Sequence, residues 1–335
     1  MPVDGGPVAD AIAFTKGLST LAGASDAGNV DGDRAHARFN DPVNVIVGPD
    51  GTVYVADFNN GEIRAIDQDG NVTTALNKHG FARPYGMVWA PDGTLYVETD
   101  NDKNANHSLM SGSVWKVDLA QHTAICIANA IGRPRGMVVL GDGRIAMADE
   151  LHHVIEALDP TTGQLTTLAG TWDQAGYADA TGAAARFNTP YGMALRGDGK
   201  LVVVDQANNR LRLVGLDGTT QTLAGIGVGG YADGSMTEAE FHVPQAIAIT
   251  KSGDLYVTDD DNFRVRKVTT EGVVTIAGNG TGGYKDADDP TQGEIYGLEG
   301  LAFNDDESLL YVTDGSRGDN VPFNRVRFLM LGAAQ

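Results

Sequence analysis

The sequence predicts an all-β protein, a single six-bladed β-propeller with four antiparallel strands in each blade. Three observations carry this prediction. A short apolar strand recurs six times along the 335 residues, every copy has the same kind of neighbours, and one strand is left over near the N-terminus. Repeats of roughly 40 to 50 residues are typical of propellers, in which each repeat folds as one blade.

The recurring strand is an apolar run that ends in aspartate. Three copies read apolar-Tyr-Val-x-Asp, at residues 53–57, 255–259 and 310–314. Looser copies lie at 145–149 and 201–205. In the sixth copy, at 95–99, the aspartate comes one place late, as Asp100.

The segments around each copy complete a four-stranded unit. Upstream lie a Pro-x-Gly motif or a variant of it, an apolar run and a turn of the Asp-Gly type, as in residues 84–93. Downstream come an asparagine, a strand that carries an arginine, and a further run such as Leu165–Gly170. Short strands separated by Gly, Asp and Asn turns at this spacing predict one propeller blade per unit.

The ends of the chain predict how the ring closes. The sixth unit ends at residues 328–331 without a fourth strand, whereas a surplus copy of that strand stands at residues 19–23. Pairing the two removes the exposed strand edges. The predicted organisation is therefore an N-terminal extension (1–18), one propeller (19–331) and a short tail (332–335).

These motifs make the chain similar to the NHL-repeat family. The segments Asn-x-Val-Arg-x-apolar, Thr-Leu-Ala-Gly, Phe-Asn-x-Pro and Leu-Tyr-Val-x-Asp resemble the hallmarks of that family and cover residues 19–331. A more distant resemblance links the chain to gluconolactonase-type and streptogramin-lyase-type propellers. The resemblance implies the fold strongly and the function weakly, because propellers serve as lyases, lactonases and binding scaffolds alike.

Composition excludes several classes of partner and chemistry. The formal charge of −20 repels nucleic-acid phosphates and anionic lipid, so neither nucleic acid nor a membrane is an expected partner. A single cysteine rules out an internal disulfide and argues against zinc-thiolate chemistry. We find no signal peptide or membrane-spanning run, which predicts a cytoplasmic protein, although an exported form whose leader has been removed would look the same.

Four long connections lead from an outer strand to the next inner strand. Three of them contain an aspartate followed by a segment that we read as a short helix ending at Phe39, Phe187 or Phe241. Asp31, Asp179 and Asp233 are therefore expected to cap these helices or to stabilise turns, rather than to take part in catalysis. The connections into blades two and three are short, which predicts a low rim and a substrate entrance there.

The position after each motif proline begins an inner strand and should face the central channel. The six residues at this position are Val43, Tyr85, Arg135, Tyr191, Gln245 and Glu299. Arg135 offers an anion anchor, Glu299 a proton acceptor, and Tyr85 and Tyr191 hydroxyl donors, with Gln245 as a further substrate contact. The alternative is structural: an Arg–Glu pair that plugs the channel, with the tyrosines as packing.

A second ring lies two residues before the motif proline. Asn188, His242 and Tyr296 belong to it, and His242 is a candidate general base. His152, which follows the strand ending at Asp149, is a further candidate for contacting substrate.

The predicted function is a non-redox enzyme, a lyase, hydrolase or isomerase, that acts on a small polar or anionic substrate at the channel mouth without a cofactor. Arg135, Glu299, Tyr191 and His242 would be catalytic. Tyr85, Gln245, Tyr296, Asn188 and His152 would bind substrate. A divalent cation at Glu299 is the weaker alternative for the site, since the resemblance to gluconolactonase-type propellers implies a metal there but Arg135 would lie beside it. The alternative function is a scaffold that recognises a protein or ligand through its loop face.

Overall fold

Six small antiparallel sheets surround a central axis. A computed structural model describes residues 17–108, 110–319 and 321–331. Each sheet has four strands, and neighbouring inner strands contact one another around the whole ring. This confirms the predicted six-bladed propeller.

Strand β1 (Leu18–Ala24) precedes the first blade, and the other strands follow in blade order, inner strand first. Blades one to three contain β2 to β13: Pro42–Val47, Val53–Asp57, Glu62–Ile66, Val72–Asn77; Pro84–Trp89, Leu95–Thr99, Ser113–Asp118, Thr123–Asn129; Pro134–Val139, Ile145–Asp149, Val154–Leu158, Leu165–Gly170. Blades four to six contain β14 to β24: Pro190–Leu195, Leu201–Asp205, Arg210–Val214, Thr220–Ala224; Pro244–Ile249, Leu255–Asp259, Arg264–Thr269, Gly272–Ala277; Leu301–Phe303, Leu309–Asp314, Asn324–Met330. Short 3-10 turns occur at Gly182–Ala184, Gln206–Asn208, Asp260–Asn262 and Pro290–Gln292.

Strand β1 supplies the outer strand of blade six. It pairs antiparallel with β24, from Leu18 opposite Leu329 to Ala24 opposite Asn324. The predicted closure by the N-terminal strand is therefore confirmed. Residues 1–16 of the predicted extension and the whole predicted tail, 332–335, lie outside the described residues.

The hydrophobic core lies between adjacent blades rather than on the axis. Phe39, Phe187 and Phe241, the aromatics at the ends of three long connections, are fully buried there. Phe39, for example, packs in one cluster with Val45 of blade one and Phe328 of blade six. Each long connection thus contributes a wedge that fixes its blade against the preceding one.

A buried arginine in the third strand of blades one, four, five and six bridges two aspartates. In blade four, Arg212 contacts Asp205 at the end of β15 and Asp179 in the long connection, at 2.5 and 2.6 Å. The other three sets are Asp31–Arg64–Asp57, Asp233–Arg266–Asp259 and Asp286–Arg327–Asp314. All four arginines have no exposed surface, so each fastens a long connection to the blade that it enters.

For Asp31, Asp179 and Asp233 this arrangement corrects the helix-capping half of the prediction and leaves the turn half. Around Asp31 and Asp233 the chain forms turns instead of helices, and after Asp179 there is one 3-10 turn whose N-cap, Thr181, makes no side-chain cap bond. The aspartates bind arginine and also accept backbone N–H bonds from Thr74, Thr222 and Thr275 of the outer strands. Ion pairing to a buried guanidinium explains their regular spacing better than capping does.

Candidate functional site

Four of the residues that follow the motif prolines meet on the propeller axis. The hydroxyls of Tyr85 (β6) and Tyr191 (β14) lie 2.7 Å apart, and Tyr85 donates to Oε2 of Glu299 at 3.1 Å. Because Tyr85 uses its proton on Glu299, Tyr191 is the donor in the tyrosine pair. Arg135 (β10) lies with its guanidinium carbon 4.2 Å from the centre of the Tyr85 ring.

The guanidinium of Arg135 is already paired with two carboxylates. It donates to Asp100 at 2.6 and 3.3 Å and to Glu150 at 2.9 Å. Among the described residues Arg135 makes no ion pair with Glu299, so the two do not form the direct plug considered above. The charge of Arg135 is largely neutralised, which leaves it poorly suited to hold a further anion.

Sequence reasoning missed Asp100 and Glu150. Both directly follow the end of a second strand, β7 or β11, and so sit at one repeat position, as Asp260 does after β19. The repeat pattern alone makes Asp100 look like a displaced copy of the strand-end aspartate. The repeat could have revealed both acids, because the second strand of blade two ends at Thr99 and the position after the second strand is acidic in three blades: Asp100, Glu150 and Asp260.

A cavity of about 440 Å³ occupies the axial channel. Tyr85, Arg135, Tyr191, Glu299 and Asn44 provide its polar lining, and the remaining lining residues in the described part of the chain are apolar side chains and glycines. The polar residues begin the inner strands, whereas the apolar ones come from further along them. The channel therefore has a polar end near the loop face and an apolar end on the opposite face.

Burial makes Glu299 a weak acid. Loss of hydration, together with the nearby charges of Asp41 and Asp260, raises the pKa of Glu299 to about 8, although Arg135 and the bond from Tyr85 lower it. Burial also raises the pKa of Tyr85 and of Tyr191 well above the ordinary value. At neutral pH all three groups therefore carry their protons.

A second buried acid lies beside Arg135. Glu98, in β7, has no exposed surface, and its Oε1 has no hydrogen-bond partner within the described structure. Burial and the charge of Asp100 raise the pKa of Glu98 well above its usual range. The carboxyl of Glu98 is therefore protonated and adds no negative charge beside Arg135 and its partners Asp100 and Glu150.

Side chains from the loop face nearly close the polar end. Tyr85, Arg135, Tyr191 and Gln245 are each at most 8% exposed. Gln245 lies outside the cavity lining and donates to Asp260 at 2.9 Å, and Asp260 in turn contacts Arg317 at 2.9 Å. These four side chains therefore present little surface to solvent at the loop-face end of the cavity.

The second predicted ring lies at the rim, away from the cavity. The backbone N–H groups of Asn188, His242 and Tyr296 donate to the strand-end aspartates, as that of Asn40 does in blade one. His242 is partly exposed and lies 3.7 Å from Asp261, whereas the Tyr296 hydroxyl donates to Asp319. None of the three lines the axial cavity.

His152 also points away from the channel. It is 3% exposed, its Nδ1 lies 2.6 Å from Asp149, and its ring stacks on Trp172 at 4.0 Å. Asn60, Asn208 and Asn262 hold the same place in their blades and donate to the strand-end aspartate in the same way. His152 thus replaces a structural asparagine of the repeat.

The chain's match to a family model identifies the kind of propeller. Residues 22–228, more than half of the chain, match the model of the teneurin NHL domain. The chain belongs to the teneurin NHL domain family. The resemblance to NHL repeats is thereby confirmed.

A curated relative carries a similar NHL region within a longer protein. The protein SUPPRESSOR OF QUENCHING 1, chloroplastic, of Arabidopsis thaliana is 30% identical over 283 residues, which are 74% of this chain and 27% of that protein. The NHL chain therefore spans about a quarter of this relative's length.

Among the described residues no helix is long and apolar enough to cross a membrane.

Solved structures share the fold at low identity. An auxiliary nutrient binding protein from Bacteroides ovatus has a TM-score of 0.72 at 19% identity, covering 93% of this chain and 75% of that one. A gluconolactonase from Xanthomonas campestris has a TM-score of 0.60 at 16% identity (94% and 89% covered), and virginiamycin B lyase from Staphylococcus aureus has 0.53 at 14% (87% and 80%). These similarities support the predicted distant likeness to lactonase-type and lyase-type propellers, and they concern the fold alone.

The described residues contain no group of three or more His, Cys, Asp or Glu side chains arranged to hold a metal ion. Glu299, the position at which a divalent cation was considered, accepts a hydrogen bond from Tyr85. The arrangement around Glu299 is therefore that of a hydrogen-bonded acid.

Proposed function

We propose that this NHL propeller is a non-redox enzyme of the lyase, hydrolase or isomerase class, which acts on a small polar molecule in the axial cavity through its own side chains. The observation that carries the proposal is the hydrogen-bonded chain Tyr191–Tyr85–Glu299 at the polar end of that cavity. An acid with a pKa of about 8 is well matched to proton transfer near neutral pH.

Glu299 would act as the general acid. Its proton would pass to an oxygen of the substrate, and the bond from Tyr85 would stabilise the carboxylate that remains. Tyr191 would support Tyr85 by donating to it, so that negative charge on Glu299 is shared along the chain. Proton transfer by a positioned side chain typically contributes about 10²–10⁴ in rate.

The electrostatics favour a neutral substrate over an anionic one. Asp100 and Glu150 already accept from both terminal nitrogens of Arg135, so an anion would have to compete with two carboxylates. Arg135 instead holds Tyr85 in place through its position over the ring. His242 and His152 are outside this proposed mechanism because neither lines the cavity.

Turnover of a panel of esters, lactones and cyclic peptides tests the proposal. We expect at least one substrate to be converted, with a roughly 100-fold or larger loss of rate in Glu299→Gln. The matched control is Glu271→Gln, an exposed acid, which should keep full activity. Full activity in Glu299→Gln on a substrate turned over by the wild type would contradict the role of Glu299.

The alternative is a binding module that recognises a ligand or protein through its surface. It is favoured by three half-exposed tyrosines at one repeat position, Tyr177, Tyr231 and Tyr284, each lying under an arginine at 3.7 to 4.0 Å. Under this alternative, Glu299→Gln would retain the biological function, whereas Tyr231→Ser would lose it.

A further inference from the structure

The apolar part of the axial cavity is built from one repeat position. It is the third residue after each motif proline, and in blade six the third after Leu298. We call these six residues the apolar ring: Val45, Met87, Met137, Met193, Ile247 and Leu301. None is more than 8% exposed. Three adjacent methionines make part of this wall adaptable in shape, since the unbranched thioether side chain fills irregular spaces.

The cavity is accessible from the face opposite the long connections. Its lining extends to the far ends of the inner strands, where Ile46, Leu195, Ile249 and Phe303 are partly exposed. At the other end, Phe58 packs edge-on against Tyr85, and Asp100 and Glu150 cover Arg135. A ligand entering from the open end would pass the apolar ring before it met the polar residues.

The polar end offers a hydrogen-bond donor without a free charge. Arg135 is balanced by Asp100 and Glu150, and Glu299 is protonated at neutral pH. Tyr85 and Tyr191 already use their protons within the chain of hydrogen bonds. The carboxyl O–H of Glu299 is a further donor, and its natural partner is an uncharged acceptor oxygen. Nε of Arg135 is a second donor without a hydrogen-bond partner among the described residues, and it belongs to a guanidinium whose charge is balanced.

We propose that the axial cavity binds uncharged amphiphiles, with the apolar chain inside the apolar ring and an acceptor oxygen against Glu299. This inference names the substrate class of the proposed enzyme. It rests on the proposed function only in placing the reacting oxygen of the substrate beside Glu299. Binding itself requires no turnover. A cavity of about 440 Å³ falls within the range of roughly 300–1,000 Å³ that is usual for small-molecule sites.

The polar end and the apolar end of the cavity together predict an order of affinity among ligands of equal chain length. An alcohol can accept from Glu299 and bury its chain. A fatty-acid anion would approach the acidic Asp100–Arg135–Glu150 group, and an alkylammonium would place a charge in an apolar channel without a free carboxylate partner. Each additional buried methylene should raise affinity about fourfold, since it contributes about 0.8 kcal/mol.

Calorimetric titration at pH 7 tests the proposal with 1-octanol, octanoate and octylammonium. We expect saturable binding of 1-octanol, binding of 1-hexanol weaker by about 15-fold, and at least tenfold weaker binding of both charged ligands. Absence of 1-octanol binding, or octanoate binding as tightly as 1-octanol, would overturn the proposal.

Variants locate the binding. Val138→Trp fills the apolar end of the cavity and should abolish 1-octanol binding, whereas Val274→Trp, at an exposed position of the outer strand β21, should leave it unchanged. Ile249→Trp, on the other side of the cavity, serves if Val138→Trp does not fold. Unchanged binding in a folded cavity variant would overturn the proposal.

Glu299→Gln separates this inference from the proposed function. The amide keeps a donor at the same place, so 1-octanol binding should persist within about threefold while turnover is lost. Retained turnover would sink the catalytic role of Glu299 and leave the binding site standing. If the wild type does not bind 1-octanol, the binding site is refuted, whereas the catalytic role of Glu299 is not.

Discussion

The hydroxyl of Tyr85 donates a hydrogen bond to Glu299 over 3.1 Å, although 214 positions separate the two residues in the sequence. Tyr85 begins the inner strand of blade two, and Glu299 precedes that of blade six. Their contact exists only in the closed ring, and so does the site built on it. The chemistry proposed for the axis and the integrity of the propeller are therefore coupled, and several predictions test that coupling.

Glu299→Gln should alter how stability depends on pH. In the folded protein burial raises the pKa of Glu299 to about 8, with Asp41 and Asp260 raising it and Arg135 and Tyr85 lowering it. In the unfolded chain the pKa of the carboxyl is about 4.3, so the stabilisation tied to the protonated form is complete below that pH and is lost as pH rises to about 8. Glutamine does not ionise. Relative to wild type, the variant should therefore gain up to about 1.4 kcal/mol of unfolding free energy per pH unit in this window.

Urea unfolding at pH 5 and pH 8 measures this effect. The matched control, Glu271→Gln, should follow the wild type at both values. A difference between Glu299→Gln and wild type that does not change with pH would show that Glu299 is ionised in the folded protein.

Arg212→Ala should destabilise the protein by about 3–5 kcal/mol, because removing one partner of a buried ion pair leaves the other buried and uncompensated. Here the stranded group is Asp205, which has no exposed surface. Chemical denaturation gives the change in unfolding free energy. The control is Arg196→Ala, which removes a surface pair with Asp198 at 3.5 Å and should cost less than about 1 kcal/mol. Equal losses in the two variants would contradict the fastening role of Arg212.

His152→Asn should preserve the fold and the axial site, because asparagine occupies this position in three other blades. In the wild type, burial alone would lower the pKa of His152, but the bond and charge of Asp149 outweigh it and raise the pKa. The resulting stabilisation is complete below the ordinary histidine value of about 6.5 and is lost as pH rises through the higher folded value. Thermal unfolding between pH 5 and pH 8 should therefore show a smaller loss of stability in the variant than in wild type, since the contribution of Glu299 is common to both. A loss of 1-octanol binding in His152→Asn would contradict its placement away from the channel.

Deleting residues up to Ala24 should open the ring. The deletion exposes the edge of β24 and removes Leu21 and Ala22 from the core between blades six and one. We expect lower cooperativity in urea unfolding and loss of 1-octanol binding. A synthetic peptide carrying residues 18–24, added in excess, should restore both by pairing with β24. Unchanged unfolding of the deleted protein would refute the closure.

The repeat frame was sufficient to predict the fold and the convergence of side chains on the axis. Equivalent positions in the six blades come close to one axis, so Tyr85, Arg135, Tyr191 and Glu299 could be grouped from the sequence, although Val43 and Gln245 at the same position do not line the cavity. Their actual partners could not be predicted. Asp100 and Glu150 reach Arg135 because of where two second-to-third-strand loops fold, and that depends on tertiary packing.

The residues in the second predicted ring illustrate the same limit. A histidine or tyrosine at a position usually held by asparagine stands out in a sequence, yet His242 and Tyr296 lie at the rim. His152 likewise stands out in the sequence, and in the structure it takes the position and the aspartate contact of a structural asparagine of the repeat. An unusual residue type in a sequence shows only that a position differs between blades. Whether that residue reaches the cavity depends on the direction in which its side chain points.

The pairing of β1 with β24 also affects how the chain is made. Strand β1 leaves the ribosome first and must wait for about 300 further residues, roughly 15 to 60 seconds at ordinary synthesis rates, before its partner emerges. During that interval its edge can pair with the β24 strand of another molecule. Exchange of β1 between two chains would satisfy the same hydrogen bonds, so crowded polysomes should yield a fraction of domain-swapped dimers that falls as expression is slowed.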